Sequence, residues 1–406
     1  MKKFLKKTGL PRYALLLCLC FSLLCPAAFA ETAVDLVNTE GEDSIHDFCT
    51  LPDGGLVFAG YTEAPAGPGA ENAQRDTRGR LICLNPDRTV RWVFADDSSS
   101  VYGPVVLTQD GRIAAESFSG CVKFFTPDGK PAGPDMRLPN MGDILYTVTS
   151  HGVLRAERHD GNTAEEAELI DWDGNVLFRI HEPESMCCTG YYPIAEDDGL
   201  ILFGQAAGDP AKAPAKIMKV DLQGNTVWET ELPFVQDKHD FAGVGPAVRT
   251  GDGGYLAIVR NLVYQPKVDT WRSFDSLVKL DSNGLICWIH EPTFGFQELA
   301  HYNGMHVVYG MDFVPGENRY VMNYLWLDVN GRDLGTTQFP IPEAGLSPYN
   351  SENAFATGEK LIPTGDGLWQ LVSFWEPDPL DDDELPAMIA GSSLLIRVPE
   401  LGADVQ

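Results

Sequence analysis

After residue 30 the chain alternates short apolar runs with polar turns rich in Asp-Gly and Asn-Gly. One arrangement, a turn leading into an apolar run, recurs seven times: PDGGLVFAGY (52–61), QDGRIAAES (109–117), SHGVLRAE (150–157), DDGLILFGQ (197–205), GDGGYLAIV (251–259), PGENRYVMNY (315–324) and GDGLWQLVSFW (365–375). A second arrangement follows each: a run, a polar turn, another run. In four copies an Asp or Asn precedes an aromatic by seven positions: Asn85 to Trp92, Asp171 to Phe178, Asp221 to Trp228 and Asp281 to Trp288. Weaker copies are VKFFTPDGKPAG (122–133) and YLWLDVNGRDLG (324–335). Asp-Gly and Asn-Gly supply the positive φ that tight hairpins demand. Runs of 4–8 residues rich in Val, Ile, Leu and aromatics predict strands, and no long 3.6-residue period predicts a helix.

Four-stranded units recurring every 41 to 62 residues predict an all-β fold, a β-propeller. Counting units predicts seven blades; six or eight stay open because the units between 95 and 200 are irregular. The last unit, ending at SLLIRVPEL (393–401), lacks a fourth strand, and TAVDLVNTE (32–40) is a spare one at the start. Pairing the two ends closes the ring and removes exposed edges. The aromatic seven residues past the Asp falls on the last strand of its unit, where it can pack against the next unit.

The unit resembles the repeat of pyrroloquinoline-quinone (PQQ)-type propellers, which ends in D-x-x-G-x-x-x-W. DLQGNTVW, with Asp221, Gly224 and Trp228, and DSNGLICW, with Asp281, Gly284 and Trp288, match it fully. DWDGNVLF carries Phe178 in place of Trp, and NPDRTVRW, ending in Trp92, departs at Asp-to-Asn and Gly-to-Arg. The pattern is a packing device shared by dehydrogenases, envelope assembly scaffolds and propellers with no known chemistry. It implies fold, and function rests on the site. Quinone-dependent members place two adjacent cysteines beneath the cofactor, and SMCCTGYY (185–192) holds Cys187 and Cys188. The family's calcium ligands and catalytic aspartate have no match here, so the expectation is that the chain needs no cofactor, with calcium or PQQ as the alternative.

The first thirty residues stand apart. Five basic residues, an apolar core at 14–25 and the small-residue site AFA (28–30) read as a secretory signal peptide cleaved after Ala30. Residues 31–406 then form a single propeller domain, secreted, periplasmic or in the cell envelope, with no later segment of transmembrane length. The full chain carries 30 Lys+Arg against 58 Asp+Glu, net −28; the leader takes five bases and no acid with it, leaving −33. Such acidity disfavours nucleic acid and anionic membrane surfaces. Of the cysteines past residue 30, Cys49, Cys83, Cys121 and Cys287 sit in apolar runs and are expected as buried thiols.

Turns within the two halves of a unit are short, whereas the connections at 62–80, 206–216, 261–275 and 376–393 are long. In a propeller these emerge on one face, the expected working surface. Tyr191, Tyr192, Tyr264, Trp271 and Trp375 are the candidate aromatic platform there for a glycan, peptide or protein partner. The acidic run Asp381–Glu384 lacks the D-x-D-x-D-G spacing of a calcium loop, so no metal site is expected. No G-x-S-x-G, H-E-x-x-H or phosphate loop occurs. The first expectation is therefore a non-catalytic binding propeller. Two others stay open: an enzyme on the same scaffold (a quinone-dependent dehydrogenase or a carbohydrate-active hydrolase or lyase), and a scaffold subunit of an envelope complex.

Overall fold

Glycine punctuation sets the architecture. Gly54, Gly111, Gly129, Gly174, Gly224, Gly253, Gly284 and Gly331 all take φ between +76 and +86°, and each donates its amide N–H to the carbonyl three residues back. The result is one turn type, a tight reversal with a left-handed fourth residue, used again and again. In four of the turns between third and fourth strands an Asp opens the reversal. The Asp221 carboxylate accepts from the Gln223 and Asn225 amides at 2.9 and 2.8 Å, and Asp171, Asp281 and Asp328 do the same in their own turns.

The computed structural model describes residues 33–36, 42–64, 76–96, 101–117, 120–138, 144–159, 163–186, 193–205, 214–232, 241–265, 270–291, 294–314, 319–340, 355–377 and 388–401. They form seven four-stranded antiparallel sheets, arranged as a seven-bladed β-propeller, with no helix among the described residues. Blade 1 runs from Glu42 to Ala95, blade 2 from Tyr102 to Arg137, blade 3 from Ile144 to Met186 and blade 4 from Ile194 to Glu231. Blade 5 runs from Phe241 to His290, blade 6 from Glu298 to Pro340 and blade 7 from Phe355 to Arg397. In blades 1 to 6 the strands lie in chain order from the inner edge outward. Blade 7 takes its outermost strand from the N-terminal part of the chain: Ala33–Asp35 pairs antiparallel with Leu394–Ile396.

The described core divides by junction rather than by blade. Seven buried apolar clusters occur among the described residues, each drawn from two adjacent blades, including Phe58, Leu84, Trp369 and Leu395 where blade 7 meets blade 1. Cys49 and Cys83 are buried as expected, Cys121 is half-buried, and Cys287 is exposed, which corrects its expected burial. Cys287 sits on the outermost strand of blade 5, Ile286–His290, where no further strand among the described residues covers it. The long connections are also shorter than the sequence suggested. Strands overshoot into them, so that Tyr255–Gln265 and Thr270–Leu280 leave only residues 266–269 between them.

Repeat motifs lock neighbouring blades together. A Cβ built on Gly284 would lie 2.4 Å from the Trp228 ring, so the blade 4 tryptophan rests on the turn glycine of blade 5. Trp288 rests in the same way on Gly331 of blade 6, Phe178 on Gly224 of blade 4, and Trp92 on Gly129 of blade 2. Trp92 and Trp288 each donate Nε1–H to a carbonyl in the receiving turn, Pro127 at 3.0 Å and Val329 at 3.1 Å. The glycine thus serves twice, for its left-handed backbone and for the bare surface the ring needs.

Candidate functional site

Titratable side chains in the described interior are organised mainly as staples between strands and blades. Glu196 closes the inner strand of blade 4. Its carboxylate accepts from Lys219 Nζ and from the Tyr255 hydroxyl of blade 5, each at 2.7 Å, and Arg249 lies at 3.3 Å. Burial and that bond to Glu196 push the Tyr255 hydroxyl well above its ordinary range. In blade 5 the buried Lys279 ammonium bonds Asp252 at 2.9 Å and the Leu280 carbonyl at 2.8 Å. The Thr250 hydroxyl, Lys279 and the Gly254 amide hold the Asp252 carboxyl far below the usual range, against the opposing effect of burial. Asp96, after blade 1, accepts from Tyr102 and Lys123 of blade 2.

The inner strands carry a second polar arrangement around the axis. Lys360 of blade 7 lies 3.9 Å from Glu298 of blade 6. Its charge also acts on Asp47 of blade 1, whose carboxylate accepts the Val105 amide of blade 2 at 3.0 Å. Burial pushes the Asp47 carboxyl up against those two influences. In blade 2 Glu116 is buried, its Oε2 has no hydrogen-bond partner among the described residues, and desolvation pushes it up to about 8. Glu116 faces blade 3, where Tyr146 senses its charge. Sequence reasoning missed both groups. The visible signal was an acid on a predicted strand beside apolar residues, Glu116 in IAAES and Asp47 in IHDFC. Among the described residues no group of three His, Cys, Asp or Glu side chains is arranged to hold a metal ion.

The aromatic candidates divide into two sets. Tyr191 and Tyr192, and the cysteine pair Cys187 and Cys188, lie outside the described residues. Tyr264 and Trp271 lie at the far end of the blade 5 hairpin, opposite each other in register. Trp375 occupies the matching end of blade 7, paired with Phe355 on one side and Ala390 on the other. All three stand on the face from which the long connections leave. The short turns, with Asp53, Asp110, Asp252 and Asp366, occupy the opposite face.

No family model matches the sequence, and no curated protein matches it. Solved structures match it as propellers. A virginiamycin B lyase from Staphylococcus aureus, crystallised with quinupristin, is 12% identical with a TM-score of 0.51, covering 90% of this chain and 99% of its own. Raptor from Chaetomium thermophilum is 9% identical with a TM-score of 0.52, covering 98% of this chain and 33% of its own. BamB from Moraxella catarrhalis is 12% identical with a TM-score of 0.40, covering 88% and 86%. At such identities the likeness shows the fold alone. No helix among the described residues is long and apolar enough to cross a membrane.

Proposed function

We propose that this chain is an exported, non-catalytic propeller of PQQ-repeat type that binds a glycan, peptide or protein partner on the face of its long connections. The observation that carries the reading is the register of blade 5. Its second and third strands run past the sheet body as a hairpin and set Tyr264 opposite Trp271 at the end facing that side. Cross-strand aromatic pairs at a hairpin end are a common recognition element, because they offer large contact area at small entropic cost. The strand overshoot in blade 7 brings Trp375 to the same face. Most of the buried charges lie in strand-to-strand staples, which suits a rigid platform.

A thermal-shift screen of the exported chain against glycans, peptides, and PQQ with calcium tests this. A ligand at about 100 times its dissociation constant adds about 2.7 kcal/mol of stability. The expected result is a shift with a glycan or peptide that Tyr264→Ala and Trp271→Ala each abolish. A shift with PQQ and calcium, lost in Cys187→Ser, overturns the reading in favour of an oxidoreductase.

A further inference from the structure

Outermost strands are the vulnerable part of any propeller, since one side of each has no partner in its own sheet. Here they are guarded unequally. The outer strand of blade 4, Thr226–Glu231, exposes Glu229 and Glu231, and that of blade 1, Val90–Ala95, carries Arg91 held by Asp53 at 2.6 Å. Blade 3 presents Arg179, and blade 6 begins its outer strand at the exposed Asp333. The outer strand of blade 5, Ile286–His290, has no Asp, Glu, Lys, Arg or proline. It exposes Ile286 at 39%, the Cys287 thiol and Ile289 at 47%, and Leu285 just before it is 67% exposed.

Leu285 differs from the turns of the two preceding blades. Asn175 and Asn225 hold the same turn position in blades 3 and 4, and each amide donates to its turn aspartate, at 3.1 and 2.9 Å. Leucine forfeits that bond and puts an isobutyl group into water, so folding of the turn does not explain it. Neighbouring blades extend the apolar strip. Trp288 bonds the Val329 carbonyl at 3.1 Å, which brings the exposed Val329 alongside, and Val227 is exposed on the outer strand of blade 4, whose Thr230 bonds the Gly284 carbonyl at 2.6 Å. Acids frame it: Glu229 and Glu231 on blade 4, Glu291 past the strand, and Asp333 on blade 6, all exposed.

We propose that Ile286–His290 is a docking edge that pairs with an extended apolar segment of a partner protein, flanked by lysine or arginine. The edge, unpaired among the described residues, supplies main-chain hydrogen bonds, Leu285, Ile286 and Ile289 supply apolar contact, and the framing acids select a cationic flank. A second copy of this chain is the poorer occupant, since each carries a net charge of −28. This edge lies on the rim, apart from the long-connection face, and stands or falls separately from that reading.

The test uses the full chain and two short peptides of alternating valine and threonine, one bracketed by lysine pairs and one by glutamate pairs. Binding is followed by fluorescence anisotropy, and alkylation of Cys287 is followed by mass spectrometry of the segment that contains it. The lysine peptide is expected to bind saturably, at least about tenfold tighter than the glutamate peptide, and to slow Cys287 alkylation by a similar factor. Ile289→Lys abolishes both effects, whereas Val93→Lys on the blade 1 edge and Tyr264→Ala leave both intact. Equal binding of the two peptides, binding of neither, or survival of binding in Ile289→Lys overturns the proposal. So does a sedimenting dimer of the free chain that Ile289→Lys dissociates, which would assign the edge to a second copy.

Discussion

The junction between blades 4 and 5 and the seam between blades 7 and 1 solve one packing problem in two ways. At the first, Trp228 crosses from one outer strand and lies on Gly284 of the next turn. At the seam the outer strand is Ala33–Asp35, which has no aromatic to offer. The receiving turn is changed to suit. Arg88 replaces the glycine, keeps the left-handed backbone at φ 68°, and is itself buried. Its guanidinium lies 5.2 Å over the Trp369 ring of blade 7 and pairs with Asp366. The Gly-to-Arg departure in NPDRTVRW, a blemish in the repeat when read along the chain, is what the closing blade needs. Blade 6 shows the reciprocal change. Blade 7 ends without a turn to receive a tryptophan, and the position seven past Asp328 is Gly335, with Leu401 packed 3.2 Å from where its Cβ would stand. The lesson is that a repeat motif is a two-part device, a donor ring and a bare acceptor. At the seam and in blade 6 one part is missing and the other is altered, whereas Gly174 keeps its bare turn with no ring docked on it.

Substitution at the acceptor separates the regular junctions from turns with nothing docked on them. Gly284→Ala must strain a residue at φ +80° and press into the Trp228 ring, at a combined cost of about 3 kcal/mol. Gly174→Ala, at φ +86° with no atom within 4 Å, should cost only about 1 kcal/mol for the backbone. Urea midpoints of the two variants measure the difference, and equal losses would break the comparison.

Acid should loosen the blade 5–6 junction before the seam. His306 lies under Trp288, with ring centroids 5.7 Å apart, and its Nδ1 faces that of His301 at 3.2 Å. Burial is the main cause that lowers both imidazoles, His306 to about 4, with the neighbouring Lys279 acting in the same direction. Folded-state values below the ordinary 6.5 mean that the unfolded chain holds more protons in this window. The stabilisation is therefore complete above about pH 6.5 and declines as pH falls towards 4, by up to about 1.4 kcal/mol per pH unit. His306→Gln should flatten this slope, and hydrogen exchange at pH 5 should show blade 6 opening before blade 1.

At the seam, Arg88→Ala removes a cation–π contact and half of an ion pair whose acid partner, Asp366, is half-exposed; the expected loss is about 2 kcal/mol. Leu401→Ala, at a partly exposed position, should cost about 1 kcal/mol or less. Denaturant titration checks both. A larger loss for Leu401 than for Arg88 would mean that the C-terminal segment carries the closure.

Most of the fold was legible because its signals are local. The Asp-x-x-Gly turns, the run lengths and the spacing of Trp228 and Trp288 suffice for blade type and number, and the spare strand at 32–40 for the closure. What stayed hidden depends on partners distant in sequence. Arg88 is intelligible only beside Trp369 and Asp366, and Glu116 only beside blade 3. Cys287 was misread because an apolar run on an outer strand looks like one in the core. The site was the least legible part. Tyr264 and Trp271 could be named by residue type, but their opposition in register is set by strands that the sequence suggested were loop.

The exchange of Leu285 and Asn225 tests most directly the claim that the apolar residue in the blade 5 turn is kept for a contact surface. Leu285→Asn should let a side-chain amide donate a hydrogen bond to the turn aspartate and raise stability by about 0.5–1 kcal/mol, and Asn225→Leu should lower it by a similar amount. That pair of shifts, read from denaturant midpoints, is the outcome the account predicts. If Leu285→Asn instead destabilises the chain, leucine belongs to the fold at that turn, and the claim that it is kept for a surface is contradicted.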